Sequence, residues 1–491
     1  MDMRHIITLS AILFLFKPSQ LWYNMISMSV LRREVHMSDT IAAIATPQVP
    51  SAIGILRLSG PETAAVLDRV FRAKNGRKTA DQRARAMVLG DLLDGDGRVL
   101  DNVLCVFFPG PDSYTGEDCA ELHCHGSPVV LDEGLRALFA AGARQARGGE
   151  FTRRAFLNGR MDLIQAEAVV DLIDAETAEA ARNAALQLTG SLSRLVDGIY
   201  DDIMEIVSRF YAVVDYPDED IEESSREQML DILRRAENDL TDLRATFSRG
   251  QLLKTGVPTV ILGKPNAGKS SLLNALLGYD RAIVTDVAGT TRDTVEEKVL
   301  CGRVLLRLID TAGIRPTDNE VERLGVERSR AAAQRASLAL LVLDGSAPLD
   351  GQDEESIAVA KTVAHLLVVV NKSDLPRRID VGRLADRFDN VISVSARTGE
   401  GLDALTDAIA EQYPVGTEST GQMLTNARQA DAVSRALTAV QSARAALRIG
   451  MTPDVVLTSA EEALTALGEL NGKSVREDLV STIFSRFCVG K

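Results

Sequence analysis

The alternation of apolar and polar positions changes character along the chain. From Thr40 to about Phe151, short strand-like runs such as Ile53 to Leu58 and Val103 to Phe108 are broken by Gly and Pro turns, which predicts a compact α+β domain over residues 37–151. From 152 to 255 the chain turns to long stretches of Ala, Glu, Leu and Arg. Within them Leu163, Ala166, Val170 and Ile173, and again Ile203, Ile206, Phe210 and Val213, recur at three and four residues, the stripes of a packed helix bundle. Between 256 and 415, apolar runs of strand length (Pro258 to Leu262, Val304 to Ile309, Leu366 to Val370, Val391 to Val394) alternate with helical stretches such as Ser271 to Leu277. This predicts a doubly wound, mostly parallel sheet. Helical spacing then returns: Val433, Leu437 and Val440 share a face, and Ser474-Val475-Arg476-Glu477 reads as a capping box opening a last helix. The expected fold is multidomain α/β and α+β, with one discontinuous helical domain (152–255 and 416–491) interrupted by the α/β region 256–415.

At 491 residues the chain exceeds one ordinary core. Its first 36 residues stand apart: Arg4 and His5 precede an apolar stretch, Ile6 to Phe16, with the outline of a secretory leader. No small-residue cleavage site follows cleanly, and the run is too short to span a bilayer. The expectation is a non-native extension over 1–36, with the working chain starting at Met37 and no membrane association. Five cysteines, Cys105, Cys119, Cys124, Cys301 and Cys488, show no paired framework, which points to a reducing, cytoplasmic setting. A net charge of −14 argues against a surface that grips nucleic acid unaided, because neutralising phosphates needs clustered Lys and Arg. The acidic run Asp215 to Asp220 contains Pro and lacks spacers, so it is expected as a solvated helix break and not a metal cluster. Glu121, His123 and His125 alternate as on one strand face, but no second ligand pair at zinc-like spacing accompanies them.

Chemistry concentrates in the α/β region. Gly263-Lys264-Pro265-Asn266-Ala267-Gly268-Lys269-Ser270 is a G-x-x-x-x-G-K-S phosphate loop between a predicted strand and helix. Its glycines let successive N–H groups face phosphate oxygens, Lys269 carries charge toward the outer phosphates, and the Ser270 hydroxyl can ligate Mg²⁺, with Ser271 beside it. The strand ending in Asp310-Thr311-Ala312-Gly313 brings an acid and a glycine toward Mg²⁺ and the terminal phosphate. Asn371-Lys372-Ser373-Asp374 supplies a carboxylate that accepts from guanine N1–H and from its amine, whereas adenine has no N1 donor; such sites discriminate by roughly 10⁴ to 10⁵. Ser395-Ala396-Arg397 provides the loop that closes over the base. Together they predict GTP as the ligand and a Ras-like P-loop GTPase domain.

The residue after the Asp-Thr-Ala-Gly motif, a water-orienting Gln in Ras-like switches, is Ile314 here, which cannot do that task. Another polar group or a cation must serve; Arg315, Asp318, Glu320 and Glu322 follow on the same loop, unranked by sequence. Asp286-Val287-Ala288-Gly289-Thr290-Thr291-Arg292-Asp293 resembles a first mobile switch, with Thr291 placed to complete Mg²⁺ ligation and Arg292 a further candidate catalytic cation. Asn266 adds a side-chain carbonyl to the phosphate loop, where it serves either a monovalent cation or simply a turn.

Thr40 to Leu58, Tyr114-Thr115-Gly116-Glu117-Asp118, His125-Gly126, Phe156-Leu157-Asn158, the interrupted helical domain and the terminal Phe487-Cys488-Val489-Gly490-Lys491 together resemble the MnmE (TrmE) family of tRNA modification GTPases, from about Met37 to the last residue. The resemblance implies K⁺-dependent hydrolysis activated by dimerisation of two GTPase domains. Asn266, Thr285, Val287 and Thr290 would hold K⁺, Ser270 and Thr291 would ligate Mg²⁺, and Glu322 would position the attacking water. It further implies an N-terminal site for 5-formyl- or 5,10-methylene-tetrahydrofolate formed by Arg57, Glu121, Arg160 (where the family often has Lys) and Lys491. Cys488 becomes a candidate nucleophile, against the alternative of a small packed residue. The implied assembly is a homodimer that joins an FAD-containing MnmG (GidA) family partner in a heterotetramer, meets tRNA mainly through that complex, and adds a carboxymethylaminomethyl or aminomethyl group at C5 of the wobble uridine. The rivals are a ribosome-assembly GTPase, which usually carries a basic RNA-binding domain not seen here, and a stand-alone folate enzyme of the aminomethyltransferase type, which would leave the GTPase region idle.

Overall fold

The structure is a computed structural model that describes residues 39–215, 223–279, 297–309, 322–414, 421–474, 480, 483–484 and 487–490. The extension expected over 1–36 and the acidic run after Asp215 lie outside these residues. The chain packs into two compact units: one holds the described residues up to Val170, Gln187–Thr241 and those from Asp431 onward, the other Asp171–Leu186 and Asp242–Ala430.

The first unit opens with β1 (Ile41–Ile44), β2 (Ser51–Ser59), β3 (Phe71–Ala73), β4 (Val88–Leu93), β5 (Val99–Phe108), β6 (Cys119–Gly126) and β7 (Arg144–Gln145). They form one sheet in the order β3-β4-β5-β6-β2-β1-β7, antiparallel except for β1 beside β7. Helices α1 (Thr63–Val70) and α2 (Pro128–Ala140) cover one face, where Leu56, Leu58, Ala120 and Leu122 join Leu67, Leu131 and Leu138 in a core. Side chains alternate along a strand, so Arg57, Glu121 and His123 emerge on the opposite face.

The helices that follow are α3 (Glu150–Leu157), α4 (Leu163–Ile173), α5 (Ala178–Leu188), α6 (Ser191–Asp215), α7 (Glu223–Ala245) and α8 (Phe247–Thr255). Ile203, Ile206 and Phe210 of α6 are buried as their spacing predicts, while the Val213 side chain is outside the described set. The α4 stripe needs correcting: Leu163 and Ala166 are buried, but Ile173 is 51% exposed. It is the last residue of the helix, where no further turn follows to cover it, and Ala168 and Val169 complete the buried face instead.

In the second unit β8 (Val257–Leu262), α9 (Lys269–Tyr279), β9 (Glu297–Cys301), β10 (Val304–Leu308), α10 (Glu322–Arg335), β11 (Leu338–Asp344), α11 (Gly351–Ala360), β12 (His365–Asn371), α12 (Val381–Ala385), β13 (Val391–Ser393) and α13 (Leu402–Gln412) build a sheet ordered β13-β12-β11-β8-β10-β9. Only the edge pair β10 and β9 is antiparallel. Alternate residues of β11 feed two cores: Leu338, Leu340 and Val342 pack with Leu272, Leu276, Leu405 and Ile409, while Ala339, Leu341 and Leu343 pack with Ala333, Ile357 and Leu384. Helices on both faces explain why such strands are apolar throughout. The strand-length runs singled out by sequence do not include β11, although Leu338 to Leu343 is unbroken.

The last helices, α14 (Ala427–Ile449) and α15 (Pro453–Asn471), bury Val433, Leu437 and Val440, and Val456, Leu464 and Leu467. The Ser474 hydroxyl donates to the Thr465 carbonyl at 3.0 Å, and the rest of the expected capping box, 475–477, lies outside the described residues. No described helix is long and apolar enough to cross a membrane.

Candidate nucleotide site and the arginine-glutamate pocket

β8 ends at Leu262, and six residues carry the chain into α9. Three of these take positive φ: Gly263 (144°), Asn266 (61°) and Gly268 (100°). The glycines are steric requirements, since a Cβ at Gly263 would lie 2.2 Å from the Val342 carbonyl oxygen and one at Gly268 2.1 Å from Asn371 Nδ2. Asn266 is exposed, and Asn tolerates this conformation better than most residues. Lys269 Nζ donates to the carbonyls of Gly263 (2.7 Å) and Lys264 (2.9 Å). Burial lowers its pKa, a cost that a polyanion would offset. Ser270 and Ser271 lie in the first turn of α9, whose N-terminal dipole favours negative charge.

Asn371, buried at the end of β12, organises the base side. Its Nδ2 donates to the Ala267 carbonyl (3.0 Å) and its Oδ1 accepts from Ala396 N–H (3.0 Å), tying the phosphate loop to Ser395-Ala396-Arg397. Lys372, at φ 65°, reaches Asp344 at 2.6 Å. Asp374 accepts from the Ser395 hydroxyl at 2.6 Å and pairs with Arg397 at 2.6 Å. The Ser395 hydrogen bond, with Arg397, holds its carboxyl below the usual range against the pull of desolvation. Asp374 is therefore kept in the ionised form that accepts from guanine. The Ser373 hydroxyl donates to Glu400 (3.2 Å), which steadies the same loop.

The structure thus gathers Asn266 to Ser271, Asn371 to Asp374 and Ser395 to Arg397 at the carboxyl ends of parallel strands, where such sheets bind ligands. Thr285 to Arg292, Asp310 to Gly313 and Arg315 lie outside the described residues, as does the side chain of Glu322, the first residue of α10. Sequence reading missed Lys264, Asp344, Asp350 and Asp353, which brace these loops; only Asp344, closing an apolar run, left a readable signal.

On the first unit, β2 and β6 register places Arg57 directly across from Glu121. Arg57 donates to Glu121 Oε1 from Nε (3.0 Å) and Nη2 (2.8 Å), and Glu121 Oε2 contacts His123 Nε2 at 3.2 Å. The guanidinium lies 5.8 Å from the Tyr114 ring centre and 5.9 Å from that of Phe151. Arg57, Glu121, Tyr114 and Phe151 with Phe108, Thr115 and Cys119 line a cavity of about 100 Å³. The C-terminal tail reaches it: Gly149 N–H donates to the Cys488 carbonyl (3.2 Å), and Arg57 Nη1 donates to the Gly490 carbonyl (3.2 Å). Arg160 is exposed, its Cγ 3.3 Å from where a Cβ of Gly116 would be, and is not among the residues that line the cavity. Lys491 lies outside the described residues. Cys488 is exposed, whereas Cys105 and Cys124 are buried and their thiols pushed up to about 12, chiefly by desolvation. His125 turns away from Glu121 and His123 to pair with Asp101 at 2.7 Å. Among the described residues no group of three His, Cys, Asp or Glu converges as a metal site.

Sequence reading also passed over Arg154, which is 1% exposed. Nη1 donates to Glu117 (2.9 Å) and to the Asp39 carbonyl (3.0 Å), and Nη2 to Asp39 (2.9 Å) and Glu150 (3.3 Å). Glu117 in turn accepts from Ser59 (3.0 Å), whose hydroxyl meets that of Thr115 (2.7 Å) in the pocket wall. The buried charge therefore supports the pocket from beneath.

Comparison with known proteins agrees with this architecture. A family profile described as the N-terminus of the GTP-binding protein TrmE matches residues 40–160, and one described as the MnmE helical domain matches 163–488. The protein called tRNA modification GTPase MnmE in Heliobacterium modesticaldum is 42% identical over 467 residues, spanning 93% of this chain and 100% of its own. Its namesakes in Geobacillus kaustophilus (42% over 459 residues, 92% and 99%) and a Roseiflexus species (44% over 467 residues, 92% and 99%) align equally fully. With such identity sustained over nearly the whole of both chains, this protein belongs to the MnmE (TrmE) family of tRNA modification GTPases.

Proposed function

We propose that this GTPase drives modification of the wobble uridine of tRNA in the cytoplasm, as a homodimer joined to an FAD-containing MnmG (GidA) family partner. The partner's flavin would carry the redox work, and a tetrahydrofolate bound in the N-terminal unit would supply the carbon. The observation that carries the guanine reading is Asn371, whose one side chain ties the phosphate loop to the base loop beside an ionised Asp374. Family membership carries the link to tRNA.

The residues present suit the groups this reading requires. Ser270 and Thr291 would hold Mg²⁺, which neutralises phosphate charge. Asn266, Thr285, Val287 and Thr290 would hold K⁺, which supplies the positive charge an arginine finger gives elsewhere; the exposure of the Asn266 side chain favours this role. Lys269 orients the outer phosphates, and Glu322 positions the attacking water in place of Gln. Arg57 and Glu121, side by side against Tyr114 and Phe151, suit a flat heterocycle with donor and acceptor edges, and Arg160 and Lys491 suit its carboxylate tail.

GTP hydrolysis by the purified protein is expected to be faster in K⁺ than in Na⁺ at equal ionic strength, and Asn266→Ala to abolish the difference. Rates indifferent to the cation would remove the K⁺ role. Glu322→Ala is expected to lower kcat by about 10² or more with nucleotide affinity spared; equal losses in both would make Glu322 structural. In cells, deletion should remove the modified wobble uridine, whereas a ribosome-subunit defect with normal tRNA would favour a ribosome-assembly role.

A further inference from the structure

Lys264 lies in the phosphate loop, but its ammonium engages another element. Nζ donates to Asp353 Oδ2 (2.6 Å) and Asp350 Oδ2 (2.8 Å), with the Lys264 side chain 13% exposed and that of Asp353 2%. The two acids form the capping box of α11: Asp350 accepts from the N–H groups of Gln352 (3.0 Å) and Asp353 (3.1 Å), and Asp353 from that of Asp350 (3.1 Å). Asp353 Oδ1 is buried and has no hydrogen-bond partner among the described residues, so Lys264 is the cation that compensates this carboxylate. At the other end of the same β11–α11 connection, Asp344 accepts from Lys372 of the guanine loop (2.6 Å), and the Gly345 carbonyl accepts from Arg378 N–H (2.9 Å). The end of β11, the first turn of α11 and the connection between them, residues 344–353, thus hold a lysine from each nucleotide-binding loop.

We infer that Lys264 and Asp353 are positioning residues for the nucleotide: their pair fixes the Gly263 and Lys264 carbonyls, which receive Lys269 Nζ, and so sets where the phosphate-binding ammonium stands relative to the guanine loop. Lys264 lies in the phosphate loop, but its side chain is turned to Asp350 and Asp353, and neither it nor that of Asp353 is among the groups assigned to hold phosphate or read the base. A backbone freed at Lys264 lets the Lys269 ammonium wander, and every guanine nucleotide that shares the inner phosphates loses affinity together. Base preference stays as it was, because Asp374 and Asn371 keep their own partners.

The test measures dissociation of N-methylanthraniloyl-GDP from the full-length protein, alongside urea unfolding without nucleotide. Lys264→Met is expected to raise Kd about 10-fold, mostly through faster release, which is within the reach of residues that couple sites without touching the ligand. Lys264→Arg should recover binding, since it restores a cation to the same two acids. Lys264→Met also strands a buried carboxylate, so the double variant Lys264→Met/Asp353→Asn separates the two roles: it should recover the urea midpoint and still bind weakly. Preference for the GDP analogue over its adenine counterpart should be unchanged in all variants. Native affinity in the double variant would reduce the pair to scaffold and overturn the inference. Failure of the unsubstituted protein to bind the analogue would instead count against the nucleotide site itself.

Discussion

Asp374→Asn is expected to transfer the nucleotide preference from GTP to xanthosine triphosphate, with kcat/KM for GTP falling by about 10⁴. Guanine presents two donors to this carboxylate, N1–H and the exocyclic amine. An amide accepts one of them and sets its own N–H against the other, leaving two buried donors in conflict. Xanthine carries a carbonyl where guanine has its amine, so the same amide N–H finds an acceptor. The loop itself should survive the change, because Asn371 holds it from the opposite side through Ala267 and Ala396. Steady-state hydrolysis of GTP, xanthosine triphosphate and ATP by the two proteins decides the matter. An unaltered preference for GTP would mean that guanine is read elsewhere.

The second large effect concerns stability. Arg154→Met is expected to cost about 3–5 kcal/mol, the usual result of removing one partner from a buried charge cluster. Arg154 answers three carboxylates, Asp39, Glu117 and Glu150, and methionine answers none. The cluster also sets the pH dependence. Burial alone would raise the Glu150 pKa, but hydrogen bonds from Arg144 and the Arg147 N–H, with the charges of Arg144 and Arg154, bring it down from 4.5 to about 2. A depressed carboxylate pKa adds stability that is complete above its unfolded value and is lost as pH falls through the folded one. Acid should therefore erode the native protein between these two values. In the variant the stranded carboxylates lose a counter-charge, so its deficit should be greatest near neutrality and shrink on acidification, where protonated carboxyls need none. Urea unfolding followed by circular dichroism at pH 7 and pH 4 checks both statements, reading the first transition of this two-unit chain. A deficit that grows toward low pH would contradict the assignment. Because Glu117 leads through Ser59 to Thr115, the variant should also loosen the pocket around Arg57.

The amino-acid order alone determined those features whose physics is local. β12 was readable because a strand covered on both faces leaves an unbroken apolar run, and β8, β10 and β13 because one polar residue each, Thr259, Arg307 and Ser393, leaves the rest of the run apolar. The phosphate loop was readable because its turns demand glycine at Gly263 and Gly268, whatever surrounds them. The base motif was readable because Asp374 carries its specificity in one side chain. Spacing likewise announced the buried faces of α6 and α14, but it overreached at Ile173, since periodicity does not say where a helix loses its cover. The arginine-glutamate pocket came from resemblance, not from pattern.

Tertiary structure decided the partnerships. Arg57 meets Glu121 across 64 residues because strand register sets them opposite, and register depends on which faces find a core. Asn371 bridges Ala267 and Ala396 because sheet order places β12 beside β13 and brings the loops that follow β8 and β12 to one edge. Lys264 and Arg154 look like ordinary surface cations in the linear text, and only folding encloses them with carboxylates they then have to satisfy. Local propensity and steric demand are written in neighbouring residues, whereas the compensation of a buried charge depends on what distant segments bring to it.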